Sequence, residues 1–229
     1  MCGRFAFFSP HEAIAQLFGL YDAPEVEPHY NIAPTQFIPA VRADDAARRH
    51  LSMLYWGLVP SWAKEKSIGA RMINARAETL SEKPSFRTAF KRRRCLVLAD
   101  GYYEWQARPE GKQPHFIRMR TGEPFAMAGL WESWREGEGN EPLESCAIVT
   151  TAASEAMKRI HDRMPVILAP AQYDFWLDRK NEDVDALSKR LVAYPGESME
   201  AIEVSKRVNN ARNDDPELVK PSPRDRGEG

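Results

Sequence analysis

Short runs rich in β-branched and aromatic residues recur along the whole chain, and they constrain its fold more than any other feature. They fall at residues 37–41, 51–56, 95–98, 102–105, 115–119, 125–130, 147–151 and 166–168, each of strand length and bounded by turn-forming residues. A strand pair this short is not stable alone, so the runs predict a shared sheet core. Residues 2–8 read as one further extended segment at the N-terminus. Helical periodicity is confined to part of 79–93, to 154–160, 171–177 and 184–192, and to one N-terminal segment. There, Ser9 and Glu12 read as a capping box around Pro10, before Ala13, Ile14, Leu17 and Phe18, with Gly19 as the stop. Helices so few and short cannot form a layer of their own. The expected fold is α+β: a single domain with a curved or barrel-like, mostly antiparallel β-sheet core and peripheral helices.

A chain of 229 residues, 43% hydrophobic, can bury one substantial core. The domain is expected to span 1–216, because Pro, Arg, Asp and Gly dominate from there and leave 217–229 as a disordered tail. With 32 basic against 33 acidic residues, the chain cannot coat nucleic acid by bulk charge, so any such contact must be a local patch. Three cysteines without a C-x-x-C pair argue against a disulfide framework and a structural zinc site, and fit a reducing cytoplasm. No 18 apolar residues stand together, and the first ten hold no signal-like run. No G-x-G-x-x-G or G-x-x-x-x-G-K loop occurs. A cytoplasmic monomer with no cofactor, no metal and no membrane partner is expected.

Cys2 carries the most distinctive chemistry. Removal of the initiator methionine would leave a free α-amine beside a thiol. Such an amine has a reference pKa of about 7.7–8.0, so roughly a tenth is neutral at pH 7, far more than for a lysine. It can attack an aldehyde, and the neighbouring thiol can add to the same carbon and close a thiazolidine, a ring closure favoured by proximity. By itself, Cys2 reads more readily as a small apolar residue of an N-terminal strand.

Other segments shift that balance. Asn74, Arg76 and Glu78 interrupt an apolar stretch with groups able to orient an amine or sugar and to bind a phosphate; Glu78 also reads as a structural partner of Arg76. Glu104 lies within Asp100-Gly101-Tyr102-Tyr103-Glu104-Trp105, where apolar surroundings would raise its pKa and suit it to proton transfer. On a strand, Tyr102 and Glu104 share one face and Tyr103 and Trp105 the other, so a given pocket should take one pair. His161, followed by Asp162-Arg163-Met164-Pro165, sits at a helix-to-strand junction and can serve as acid or base. Candidate DNA contacts are Arg4, Arg76, Arg163 and the basic run 91–94, with Trp56, Trp62 and Trp105 as stacking surfaces.

Taken together, Met1-Cys2-Gly3-Arg4-Phe5, Tyr30-Asn31-Ile32-Ala33-Pro34-Thr35, Trp56-Gly57-Leu58-Val59-Pro60, the segment 74–78, the segment 100–105, the segment 161–165 and Val208-Asn209-Asn210 resemble the SOS response-associated peptidase family, in order and in spacing, up to about Pro216. The resemblance implies a β-rich domain that binds single-stranded DNA containing abasic sites and joins its mature N-terminal cysteine to the ring-opened sugar as a thiazolidine. By that resemblance Cys2 is the nucleophile, Asn74 orients the N-terminus or sugar, Glu104 shuttles protons and His161 assists ring opening. Arg4, Arg76 and Arg163 hold phosphates. Two other readings stay open: a cysteine peptidase with Cys2 as thiolate and His161 as base, and a passive single-strand binder.

Overall fold

A computed structural model describes residues 2–22, 24–137 and 139–222. Its strands, in chain order, are β1 (Phe5–Phe7), β2 (Leu20–Asp22), β3 (His29–Ile32), β4 (Phe37–Ala43), β5 (Arg49–Trp56), β6 (Asn74–Arg76), β7 (Arg94–Ala99), β8 (Gly101–Arg108), β9 (Gly111–Met119), β10 (Phe125–Trp134), β11 (Leu143–Ala152), β12 (Arg163–Pro165), β13 (Ile167–Leu168) and β14 (Met199–Glu203). The helices are short: α1 (His11–Phe18), α2 (Arg87–Arg92), α3 (Glu155–Lys158), α4 (Tyr173–Leu177) and α5 (Val184–Ser188). One sheet has the order β14-β9-β8-β1-β3; the other runs β12-β11-β10-β7-β4-β5-β2, with β13 on β10 and β6 on β11. Pairing is antiparallel except where β11 meets β5 and β6, and where β2 meets β5. This is the α+β, mostly antiparallel arrangement that the recurring strand runs imply.

The main core joins the two sheets. Phe5, Tyr102 and Ile117 from the first pack in one cluster with Leu54, Trp56, Leu96, Val97, Met127 and Ile148 from the second. Phe5 meets Trp56 edge to face at 5.2 Å, a geometry favoured by the ring quadrupoles. The opposite face of the first sheet is also covered: Ala6, Tyr103 and Phe116 pack with Val204, Val208 and Leu218. The chain beyond β14 is therefore a second layer over β8 and β9.

That layer moves the expected domain end. Residues 216–219 form a 3-10 turn, Leu218 is fully buried, and the Ser222 amide donates to the Glu203 carbonyl at 2.8 Å. The tail expected from residue 217 is thus packed through 222, because one leucine fills the apolar surface left by Tyr103 and Phe116. Residues 223–229 lie outside the described part.

Two local expectations fail for a shared reason. Helix α1 begins at Pro10 with no side-chain cap, while Gly19 closes it at φ 59° as expected. The Ser9 hydroxyl instead donates to Asp100, which also accepts the amides of Phe8 at 2.6 Å and Ser9 at 3.0 Å. Asp100 is 4% exposed, and a buried carboxylate needs its donors more than a surface helix end does. Likewise the basic run 91–94 is not a free patch. Arg92 pairs with Glu182, Arg93 with Glu132, and Arg94 is buried. Its guanidinium donates to the carbonyls of Trp176, Phe90, Lys91, Asp178 and Asn181, and burial pulls its pKa down to about 10. It ties the ends of α2 and α4 together rather than reaching DNA.

Candidate active site

The site forms where β1 runs out. β1 pairs with β8 through Phe5 and Tyr102, and through Ala6 and Gly101; the last link is the Tyr103 amide to the Arg4 carbonyl at 2.9 Å. From Glu104 onward the β8 edge has no strand beside it on that side, and this is where Cys2 is held. Cys2 is fully buried. Asn74 reaches it from β6, which is pinned to β11 by the register Asn74 opposite Ile148. The Asn74 Nδ2 donates to the Cys2 carbonyl at 2.8 Å. Its Oδ1 is buried and has no partner among the described residues.

Burial pushes the Cys2 thiol well above its ordinary pKa, and the neighbouring Glu104 carboxyl pushes it further; the Arg4 amide acts the other way. Glu104, 3% exposed, is itself raised by burial, with the charge of His161 opposing. Both shifts place Cys2, Glu104 and His161 in one electrostatic neighbourhood. The His161 Nδ1 lies between the Arg163 amide at 3.0 Å and the Asp162 carboxylate at 2.9 Å. A neutral ring accepts from the first, and a protonated ring donates to the second.

A cleft of about 460 Å³ is lined by Glu104, Trp105, Lys112, His161 and Asn209. Glu104 and Trp105 thus border the same cleft, contrary to the strand-alternation expectation that one pair would exclude the other. The reason is the missing partner along β8: at a free sheet edge, both faces open to the same solvent-filled space. Trp105 is fixed there by its indole N–H, which donates to the Asn209 side chain at 2.7 Å.

The expected phosphate contacts divide. Arg76 is exposed, and its side chain has no hydrogen bond or ion pair among the described residues. Trp62 is 59% exposed. Arg4 is engaged: its Nη1 donates to the Asn31 side chain at 2.7 Å and the Val208 carbonyl at 2.8 Å. Arg163 makes a two-pronged pair with Glu78, 3.0 Å on each prong, and donates to the Thr150 carbonyl at 2.7 Å. Glu78 therefore pairs with Arg163 and not with Arg76. Trp56 is fully buried with its indole N–H on the Ile73 carbonyl, so it is core.

Sequence reasoning passed over three participants. Asn31, 2% exposed, donates to the carbonyls of Val208, Asn210 and Asn213 and so fastens the C-terminal layer beside Arg4. Asn209 was visible only as part of Val208-Asn209-Asn210. Lys112, in a polar hairpin, carried no signal.

Comparison with known proteins shows the family. A family model described as SOS response associated peptidase (SRAP) matches residues 1–211. The chain is 47% identical to the abasic site processing protein YoqW of Bacillus subtilis, over 96% of this chain and 99% of that one. It is 36% identical to the abasic site processing protein HMCES of Gallus gallus, over 85% of this chain and 66% of that one. A crystal structure of a Bacteroides thetaiotaomicron protein superimposes with a TM-score of 0.86 at 25% identity, covering 96% of this chain and all 100% of the other. On the match to residues 1–211 and the 47% identity across nearly the whole chain, this protein belongs to the SOS response associated peptidase family.

Proposed function

We propose that this protein processes abasic sites in single-stranded DNA by linking its mature N-terminal Cys2 covalently to the lesion as a thiazolidine. The observation that carries the reading is the Asn74 hydrogen bond to the Cys2 carbonyl, with Cys2 in the field of Glu104, which lines a cleft together with His161. Relatives named as abasic site processing proteins at 31–47% identity support the substrate. In the reaction, the α-amine of Cys2 attacks the aldehyde carbon of the ring-opened sugar and the resulting carbinolamine loses water to give an imine. The thiol sulfur then adds to that carbon while its proton passes to nitrogen. One water leaves in all, and no oxidant is needed.

Each neighbour suits a part of this sequence. The unpartnered Asn74 Oδ1 is available to accept from the amine and aim its lone pair. Glu104, raised by burial, holds a proton to a higher pH than an ordinary carboxyl and can deliver it to the departing hydroxyl. His161, at the solvent side of the cleft, exchanges protons with the sugar oxygen as the ring opens. The raised Cys2 thiol speaks against the peptidase reading, which needs a thiolate; thiazolidine closure consumes a neutral thiol. Arg76 and Trp62, exposed outside the cleft, fit a single strand's phosphates and bases.

The test is intact mass spectrometry after mixing the processed protein with a single-stranded oligonucleotide carrying one abasic site. A heat-stable adduct at protein plus DNA minus one water is expected. A protein with a few uncleaved residues ahead of Cys2 should give none, because its nitrogen is then an amide. A heat-stable adduct from the extended protein would overturn the aminothiol chemistry.

A further inference from the structure

The Tyr102 hydroxyl is an unexplained group at the centre of this site. Its residue is completely buried, and its oxygen has no hydrogen-bond partner among the described residues. Leaving a buried hydroxyl unpaired is costly, and phenylalanine would fill the same space without that cost. The ring is well placed for packing: it lies opposite Phe5 on β1 and Ile117 on β9, within the main core. The oxygen is therefore the part that packing does not account for.

Its surroundings point to the reacting sulfur. Tyr102 shares a face of β8 with Glu104, two residues on, and β1 leads from its partner Phe5 back to Cys2 within three residues. Cys2 and Glu104 are the two groups whose charges bear on the phenol, and with burial they hold it protonated far above its ordinary range. A phenol that stays protonated is a donor at every working pH. The Arg4 backbone amide already bears on the sulfur; of the side chains nearby, the Asn74 amide is on the Cys2 carbonyl and the Arg4 guanidinium is on Asn31 and Val208.

We propose that Tyr102 is a positioning residue for thiazolidine closure, its hydroxyl donating to the Cys2 sulfur of the mature N-terminus. This rests on the function proposed above and assigns the step it serves. In that step the S–H bond breaks and the S–C bond forms, the C=N π pair moves to nitrogen, and the thiol proton ends on that nitrogen. A donor on the sulfur fixes the side-chain rotamer facing the imine carbon. It also stabilises the negative charge that builds as the proton leaves ahead of full bond formation.

The experiment uses Tyr102→Phe in the full-length processed protein, with three measurements beside the wild type. Borohydride trapping reads imine formation on an abasic oligonucleotide, and denaturing gels read the heat-stable thiazolidine. The pH dependence of Cys2 alkylation by iodoacetamide reads the sulfur without DNA. The variant should trap imine at the wild-type rate and close the ring about tenfold more slowly, the worth of one hydrogen bond. Its alkylation profile should move to higher pH, and it should be no less stable to heat. Wild-type rates and an unshifted profile would leave the hydroxyl with no role and overturn the assignment. Equal slowing of imine and ring closure would move Tyr102 to the amine step and overturn it too. If the wild type forms no adduct at all, the proposed function fails, while a shifted alkylation profile would still support the contact between Tyr102 and the sulfur.

Discussion

At the level of single residues, the site shifts its titratable groups away from their ordinary ranges. Glu104 is the clearest case, because burial raises its carboxyl. A carboxyl with a raised folded-state pKa contributes stability that is complete below its unfolded value of about 4.3 and lost as the pH rises through the folded value. The wild type therefore carries a penalty at neutral pH that Glu104→Gln removes. The variant should melt no lower than the wild type at pH 7, and the gap should close as the pH falls towards 4, read by thermal unfolding. Adduct formation should nonetheless slow by about 10²–10⁴, the usual worth of one general acid or base. A lower melting temperature at pH 7 would make Glu104 a structural ion-pair member instead. His161→Ala should slow the reaction within the same range and leave the melting temperature nearly unchanged, since its side chain is 30% exposed at the cleft edge.

Among the elements, β11, β12 and the 3-10 turn after β6 depend on Arg163. Its guanidinium spans Glu78 and the Thr150 carbonyl, and it holds the Glu78 carboxyl below its ordinary pKa. Glu78 is 50% exposed, so solvent screens part of that gain. Arg163→Ala should cost about 1–2 kcal/mol in urea unfolding, mostly through the Thr150 carbonyl left without its donor. Because the Glu78 contribution exists only above its unfolded pKa, the difference from wild type should shrink as the pH falls below about 4. An unchanged urea midpoint would free Arg163 for a phosphate. Arg76→Ala should behave in the opposite way: unchanged stability, with the slope of log affinity against log salt for single-stranded DNA reduced by about 0.7, the share of one phosphate contact.

The whole molecule is held closed by its C-terminal layer, which covers β8 and β9 and also supplies Val208 and Asn209 to the site. Leu218 is its anchor, and Leu218→Ala should cost about 2–5 kcal/mol, as for other large-to-small core changes. Chemical denaturation checks the loss, and a midpoint within error of wild type would show the layer to be dispensable. The strand runs, the α+β class and the stop at Gly19 were legible in the sequence, and so was the chemistry that makes Cys2, Glu104 and His161 candidates. Strand periodicity, turn chemistry and the reactivity of an N-terminal aminothiol are properties of neighbouring residues. The short strands β3, β6 and β14 were not legible, since each buries only one or two apolar side chains and carries no apolar run. Which cations remain free for DNA was equally hidden. Arg163 meets Glu78 across 85 positions and Arg4 meets Val208 across 204, so these pairings arise only when the folded chain sets distant donors against distant acceptors. The same holds for Ser9, drawn from its helix to Asp100 across 91 positions. It holds for the free edge of β8, which lets Glu104 and Trp105 share a cleft. Local chemistry named the groups proposed to react; competition among buried polar groups for partners decided which side chains are left without a partner.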